Sequence, residues 1–183
     1  MERTRGYGRV WCVLYVERGG EAGAEAFLDG FLPESLHARC FHLTRSRKKK
    51  YGGRWRTVQE VLFPGYVFIE TDHPEAVHQE LEKVPGRGLL FARDGAVHTL
   101  EEGEADFLGK ISDEAGKIGI SRVSVSGGGE VRYLQGPLTR AAGQMRKVDL
   151  HRRTAQVETE FLGEKHLLYL GIEITGQDDE KSE

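Results

Sequence analysis

Apolar and polar positions change period several times along this chain, and each change marks an element. Val10 to Val16 sets Trp11, Val13 and Tyr15 against Cys12, Leu14 and Val16. Two apolar faces predict a central strand covered on both sides. Gly19-Gly20 ends it, and Ala24, Phe27, Leu28 and Phe31 then recur at helical spacing from Glu21 to Leu32, stopped by Pro33. Arg39 to Arg45 alternates again as a strand. A basic stretch with Gly52-Gly53 reads as a hairpin tip, and Trp55 to Leu62 as its returning partner. In Leu62-Phe63-Pro64-Gly65-Tyr66-Val67-Phe68-Ile69 the proline forbids a helix, so the aromatic and β-branched block must leave the turn as a buried strand, Tyr66 to Glu70. Asp72 is the expected cap of a helix from Pro74 to Lys83 that buries Ala76, Val77 and Leu81. Gly86 and Gly88 open a short strand, Leu89 to Ala92, followed by an Asp94-Gly95 turn. Thr99 with Glu102 makes a capping box for a last helix, which reaches Ile111 and buries Phe107, Leu108 and Ile111.

Beyond Ser112 the pattern changes. Residues 113–126 have weak periodicity, with a short strand at most at Val123 to Val125, and merge into Gly127-Gly128-Gly129. Four short alternating strands follow, around Val131 and Tyr133, Met145 to Val148, Ala155 to Phe161, and Leu167 to Leu170. Turns at Gly136-Pro137, Gly143, His151-Arg152 and Gly163 separate them. Even spacing in so small a segment predicts a closed barrel, because closure hides sheet edges. The expected organisation is α+β: an antiparallel-sheet α/β sandwich over 8–112, a linker over 113–126, a small β-barrel over 127–176 and an acidic tail over 177–183.

Charge changes this picture. The net formal charge of the 183 residues is only −3, yet Arg39, Arg45, Arg47, Lys48, Lys49, Lys50, Arg54 and Arg56 share one stretch without an acid. The sign reverses from Glu70 to Glu114. Segregation of this kind implies different partners on different faces. Cys12 and Cys40 lie in predicted strands without metal-ligand spacing, so buried free thiols in a reducing compartment are expected, with no metal and no cofactor. The chain holds no membrane-length apolar run and no signal-peptide core, which predicts a cytoplasmic protein with no membrane partner.

Candidate chemistry follows the charges and the aromatics. Lys and Arg interleaved with Tyr51 and Trp55 suit phosphates and unpaired bases, which makes Arg47, Lys48, Lys49, Lys50, Arg54 and Trp55 a candidate nucleic-acid surface; a solvated loop is the plainer alternative. In the barrel, Arg140, Arg146, Lys147, His151, Arg152, Arg153 and Lys165 are the candidate RNA-binding set, with Arg140, Arg146, Lys147, Arg152 and Arg153 expected on neighbouring loops at one end. Mixed surface charge is the alternative, since Asp149, Glu158, Glu160 and Glu164 offset them. Tyr15, Phe63, Tyr66 and Phe68 form either ordinary core or an apolar docking pocket. No His-Glu-x-x-His, no phosphate-binding loop and no nucleophile context is present, so no catalytic residue is expected and the chain reads as a non-enzyme.

Three motifs carry a resemblance to the NusG-like transcription elongation factors. They are Trp11-Cys12-Val13-Leu14-Tyr15-Val16 with Gly19-Gly20-Glu21, the stretch Leu62 to Ile69, and Gly136-Pro137-Leu138 with Gly143, Lys147, Val148, Asp149, Arg153, Ala155, Val157, Phe161, Leu162 and Gly163. The first two resemble the NusG N-terminal domain and the third resembles the KOW motif of an SH3-like barrel. Among paralogues, the basic hairpin and the ending Leu170-Gly171-Ile172-Glu173-Ile174 look most like antiterminators of the LoaP type, with RfaH-type and housekeeping factors as alternatives. The resemblance implies a monomeric antitermination and processivity factor. Tyr15, Phe63, Pro64, Tyr66 and Phe68 would dock the clamp helices of RNA polymerase's largest subunit, and His78 the opposite lobe. The barrel would take a leader RNA hairpin, and the basic hairpin would lie near non-template DNA. A KOW module that binds RNA or ribosomes without polymerase is the runner-up. Two positions depart from the family pattern. Cys12 replaces an aromatic, and Arg140 replaces a second KOW-loop glycine, which predicts altered backbone there.

Overall fold

The computed structural model describes residues 9–85 and 97–175. The expected strand Leu89–Ala92, the Asp94-Gly95 turn and the acidic tail lie outside the described residues. Two compact units emerge, one comprising residues 1–42 and 63–105, the other residues 43–62 and 106–183. The chain therefore leaves the first unit to build a hairpin in the second, then returns.

In the first unit a four-stranded sheet has the order β2-β5-β1-β6, from β1 (Val10–Tyr15), β2 (Arg39–Phe41), β5 (Tyr66–Thr71) and β6 (Val97–Thr99). β1 pairs antiparallel with β5 and β6, so it is central, as its two apolar faces require. On one sheet face Cys12, Leu14, Val16, Cys40, Val67 and Ile69 join Ala24, Leu28 and Leu32 and Val77 and Leu81 in one core. These last five belong to α1 (Glu21–Phe31), its C-cap and α2 (Pro74–Glu82). Both cysteines are buried free thiols, and burial pushes Cys12 up to about 11 and Cys40 to about 12.

Helix starts differ from the sequence expectation. His73, not Asp72, is the N-cap of α2, because the Thr71 hydroxyl takes the His73 N–H and turns the chain one residue later. In α3 (Glu102–Ile111) the box is made by Glu101 and Glu104, not Thr99 and Glu102: the Glu104 carboxylate accepts the Glu101 N–H at 3.1 Å. Thr99 is committed to β6. The expected strand Arg39–Arg45 is two strands, since His42 and Leu43 interrupt it and β3 (Thr44–Tyr51) starts a different sheet.

In the second unit β3 pairs with β4 (Arg54–Val61) across Gly52-Gly53 and, in parallel, with β7 (Lys117–Ile118). A five-stranded sheet has the order β10-β11-β12-β8-β9. Its strands are β8 (Ser121–Val125), β9 (Val131–Gln135), β10 (Met145–Asp149), β11 (Thr154–Phe161) and β12 (Glu164–Ile174). β9 and β10 are its outer strands, so the expected closed barrel is a half-barrel, with turns of 3-10 helix at Pro137–Arg140 and Ala142–Gln144 between them in sequence. Its buried side chains include Val123, Leu138, Ala155, Val157, Phe161, Leu170 and Ile172. The segment expected as a linker, 113–126, contains β7 and β8, and β8 sits between β12 and β9. The short strand expected at Val123 to Val125 is part of β8, which starts two residues earlier, at Ser121.

Candidate functional site

The first candidate site lies on the sheet face of the first unit opposite the α1–α2 core. Register puts Tyr15 beside Tyr66 and Val13 beside Phe68. The Tyr15 and Tyr66 rings meet edge to face at 5.1 Å, both half-buried. Phe68 stacks on Phe41 at 5.4 Å and meets the edge of Trp11 at 5.7 Å. The Arg39 guanidinium lies 4.1 Å from the Phe41 centroid and donates to Glu70 at 2.6 Å.

Gly65 holds the turn that presents Tyr66. Its φ is +88°, where side chains strain, and a Cβ there would meet Tyr15 Cε2 at 3.0 Å and the Val16 carbonyl at 3.1 Å. The Gly65 carbonyl accepts the Val16 N–H at 2.7 Å, and the Gly65 N–H donates to Glu21 Oε1 at 2.7 Å. Glu21 Oε2 takes the Gly19 N–H at 2.9 Å. Burial works against this carboxylate's charge, but the N–H groups it accepts, with His42 nearby, hold it below the usual carboxylate range. Glu21, unassigned by sequence reasoning except as part of a motif, is thus the pin between helix α1 and the Phe63–Phe68 segment. An acid directly after Gly19-Gly20 at a helix start was its one signal in the sequence.

Within the docking set, then, Tyr15 and Tyr66 come together and Pro64 is exposed beside them in the chain. Phe68 is fully buried and Phe63 nearly so, which places them beneath a surface and not on it. Phe68 packs against the rings of Trp11 and Phe41. His78 is half-buried on α2, a separate element.

The basic hairpin is less bare than its sequence. Glu60 on β4 receives Arg45 and Arg47, each at 3.4 Å, and also pairs with Lys49. The Lys49 contact, joined by the two arginines, outweighs burial and holds the Glu60 carboxyl below its ordinary range. Lys48 pairs with Glu173 of β12 at 2.8 Å, and Arg45 donates to the Tyr169 carbonyl at 3.0 Å. Lys50 and Arg54 are exposed strand and turn neighbours of the exposed Trp55, with the Lys50 ammonium 5.9 Å from its ring. Arg47 to Lys50 lie on β3 and Arg54 starts β4, and the tip itself is Gly52-Gly53.

The barrel set is distributed over β10, β12, the Pro137–Arg140 turn and the turn that follows β10. Arg146 on β10 and Lys165 on β12 share Glu158, at 3.1 and 3.7 Å. That carboxyl is held low, first by the Arg146 hydrogen bond. Lys147 is exposed on β10, and His151 and Arg152 are exposed in the following turn, where Asp149 takes the Arg152 N–H at 2.9 Å. Arg153, at φ +53°, lies over Trp55 at 5.5 Å. Arg140 closes the 3-10 turn and donates Nε to the Lys110 carbonyl at 2.6 Å. Its φ is not in the left-handed region. One His/Cys/acid cluster occurs among the described residues, Asp29, His37 and Cys40, with ligand atoms within 4.8 Å. His37 there bridges Asp29 Oδ1 at 3.2 Å and the Pro33 carbonyl at 3.0 Å, an ordinary hydrogen-bond arrangement. Among the described residues no helix is long and apolar enough to cross a membrane.

With this geometry in place, sequence comparison finds a match to the transcription termination/antitermination protein NusG of Treponema pallidum, 28% identical over 120 residues. The match covers 61% of this chain and 64% of that protein. No family model matches the chain. Among solved structures it is similar to "Domain interaction in Thermotoga maritima NusG", at a TM-score of 0.44 and 17% identity, covering 89% of this chain and 93% of the other. The chain is NusG-like.

Proposed function

We propose that this NusG-like chain is a transcription antitermination and processivity factor. It docks on RNA polymerase through the first unit and on a leader RNA hairpin through the half-barrel, and it suppresses pausing and termination in specific operons. The observation that carries the reading is the Tyr15–Tyr66 pair beside exposed Pro64, on a turn locked by Glu21 and Gly65. A rigid aromatic pair offers large contact area at small entropic cost, which suits an apolar ridge on a partner helix. Phe68, Trp11 and Phe41 support this pair from within the sheet. A factor that binds only a closed polymerase clamp disfavours opening by population shift, with no chemistry of its own.

The test is capture of purified RNA polymerase by the full chain, with terminator read-through measured alongside. Tyr66→Ala is expected to weaken capture about tenfold or more, the size of an interface aromatic's loss, and to abolish read-through. Tyr66→Phe retains both. Capture unchanged in Tyr66→Ala refutes docking through this face. Resemblance to LoaP-type factors supports the operon-specific form of the function, which predicts that read-through depends on the chain's own leader RNA.

A further inference from the structure

Within the second unit, hairpin and half-barrel share an open groove of about 490 Å³ whose walls include Lys48, Trp55, Arg122, Arg153 and Glu173. Trp55 is 37% exposed although it is among the largest apolar side chains in the protein. Its ring is approached by two cations, Arg153 at 5.5 Å from the barrel and Lys50 at 5.9 Å from the hairpin. Arg153 holds a left-handed backbone, φ +53°, at a cost on the order of 1 kcal/mol that glycine or asparagine would avoid. Strain retained at a residue aimed at an exposed ring points to use of that side chain. Glu173 pairs with Lys48 at 2.8 Å and with Arg122 at 3.8 Å, so one acid faces the three cations Lys48, Arg122 and Arg153 in the groove lining. That excess of positive charge, with Arg122 59% exposed, suits an incoming anion.

From this we infer that the groove binds an unpaired nucleotide of single-stranded nucleic acid, its base on Trp55 and its phosphates on Arg153 and Arg122. Planar stacking and guanidinium recognition of phosphate are what such a groove offers, and both tolerate any base. The inference deepens the nucleic-acid part of the proposed function and rests on it. It also merges two surfaces that the sequence presents as separate, since Trp55 belongs to the hairpin and Arg153 to the barrel.

The protein has two tryptophans, and Trp11 is nearly buried, so emission from the exposed Trp55 reports on the groove. The full chain is titrated with oligouridylate and oligodeoxythymidylate of about ten nucleotides, a length within the range of small single-strand sites. Saturation is expected to quench Trp55 emission. Trp55→Phe loses the signal but keeps affinity, and Trp55→Leu weakens binding about tenfold, the share of one stacked base. Arg153→Ala weakens binding and lowers the slope of log affinity against log salt by about 0.7. The two oligomers tell an RNA source from a DNA source. No binding of either oligomer, binding without quenching, or wild-type affinity in Trp55→Leu overturns the groove. Polymerase capture is read independently through Tyr66. Binding of a leader hairpin that responds to Arg152→Ala but not to Trp55→Leu defeats the groove and leaves the functional reading standing.

Discussion

At the residue scale, Glu21 shows how one buried charge organises a surface. Its carboxylate accepts N–H groups from Gly65 and Gly19, and the hydrogen bonds outweigh the burial that opposes its charge. A carboxyl held below its ordinary value in the folded state adds stability that is fully present above the unfolded value, and this stability is lost as pH falls through the folded value. Glu21→Gln keeps one acceptor and turns an amide toward the other N–H. Near pH 7 the variant is expected to be less stable by about 1–3 kcal/mol in urea unfolding. The gap should narrow as pH falls through the folded value, where the wild-type carboxyl takes up its own proton. A gap independent of pH would show that Glu21 acts by packing alone. Gly65 was legible as a turn in Phe-Pro-Gly-Tyr; its partner, far away in sequence, was not.

Among the elements, β12 decides most. It pairs with β11 on one side and, in parallel, with β8 on the other, and Gly171 lets β3 cross against it. A Cβ on Gly171 would collide with the Ser46 carbonyl and lie 2.5 Å from Ile120 Cδ1. Backbone cannot move aside as a side chain does, so Gly171→Ala is expected to cost about 1–3 kcal/mol of overpacking. Faster amide exchange across β3 and β12 would report it, and unchanged exchange would refute the close approach. The strands β1, β5 and β11 were legible because alternation follows directly from the pleat. The split of Arg39–Arg45 into β2 and β3 was not, because each half alternates correctly and only sheet membership differs. Helix caps shifted because side chains outside the expected boxes bonded the entering backbone: Thr71 accepts the His73 N–H and Glu104 the Glu101 N–H.

On the scale of the whole molecule, unit boundaries do not follow chain order. A fragment covering 127–175 lacks β8, leaves the β12 edge unpaired over Ile172 to Ile174, and loses the buried Val123. It is expected to unfold or self-associate in sedimentation, whereas a fragment covering 117–175 stays monomeric; equal behaviour of the two would show that β8 is dispensable. Local pattern suffices for most of the strands and helices, the α+β class and the likeness to NusG, because periodicity and turn chemistry are properties of neighbouring residues. Other properties exist only once distant residues meet. Glu60 and Glu173 neutralise cations that looked unopposed in the linear chain, and Phe68 turns inward to Trp11 while Tyr66 and Tyr15 hold the rim. Arg153 reaches Trp55 across about a hundred residues of sequence, a pairing no local rule can contain, because charge balance and burial are sums over space and not over sequence.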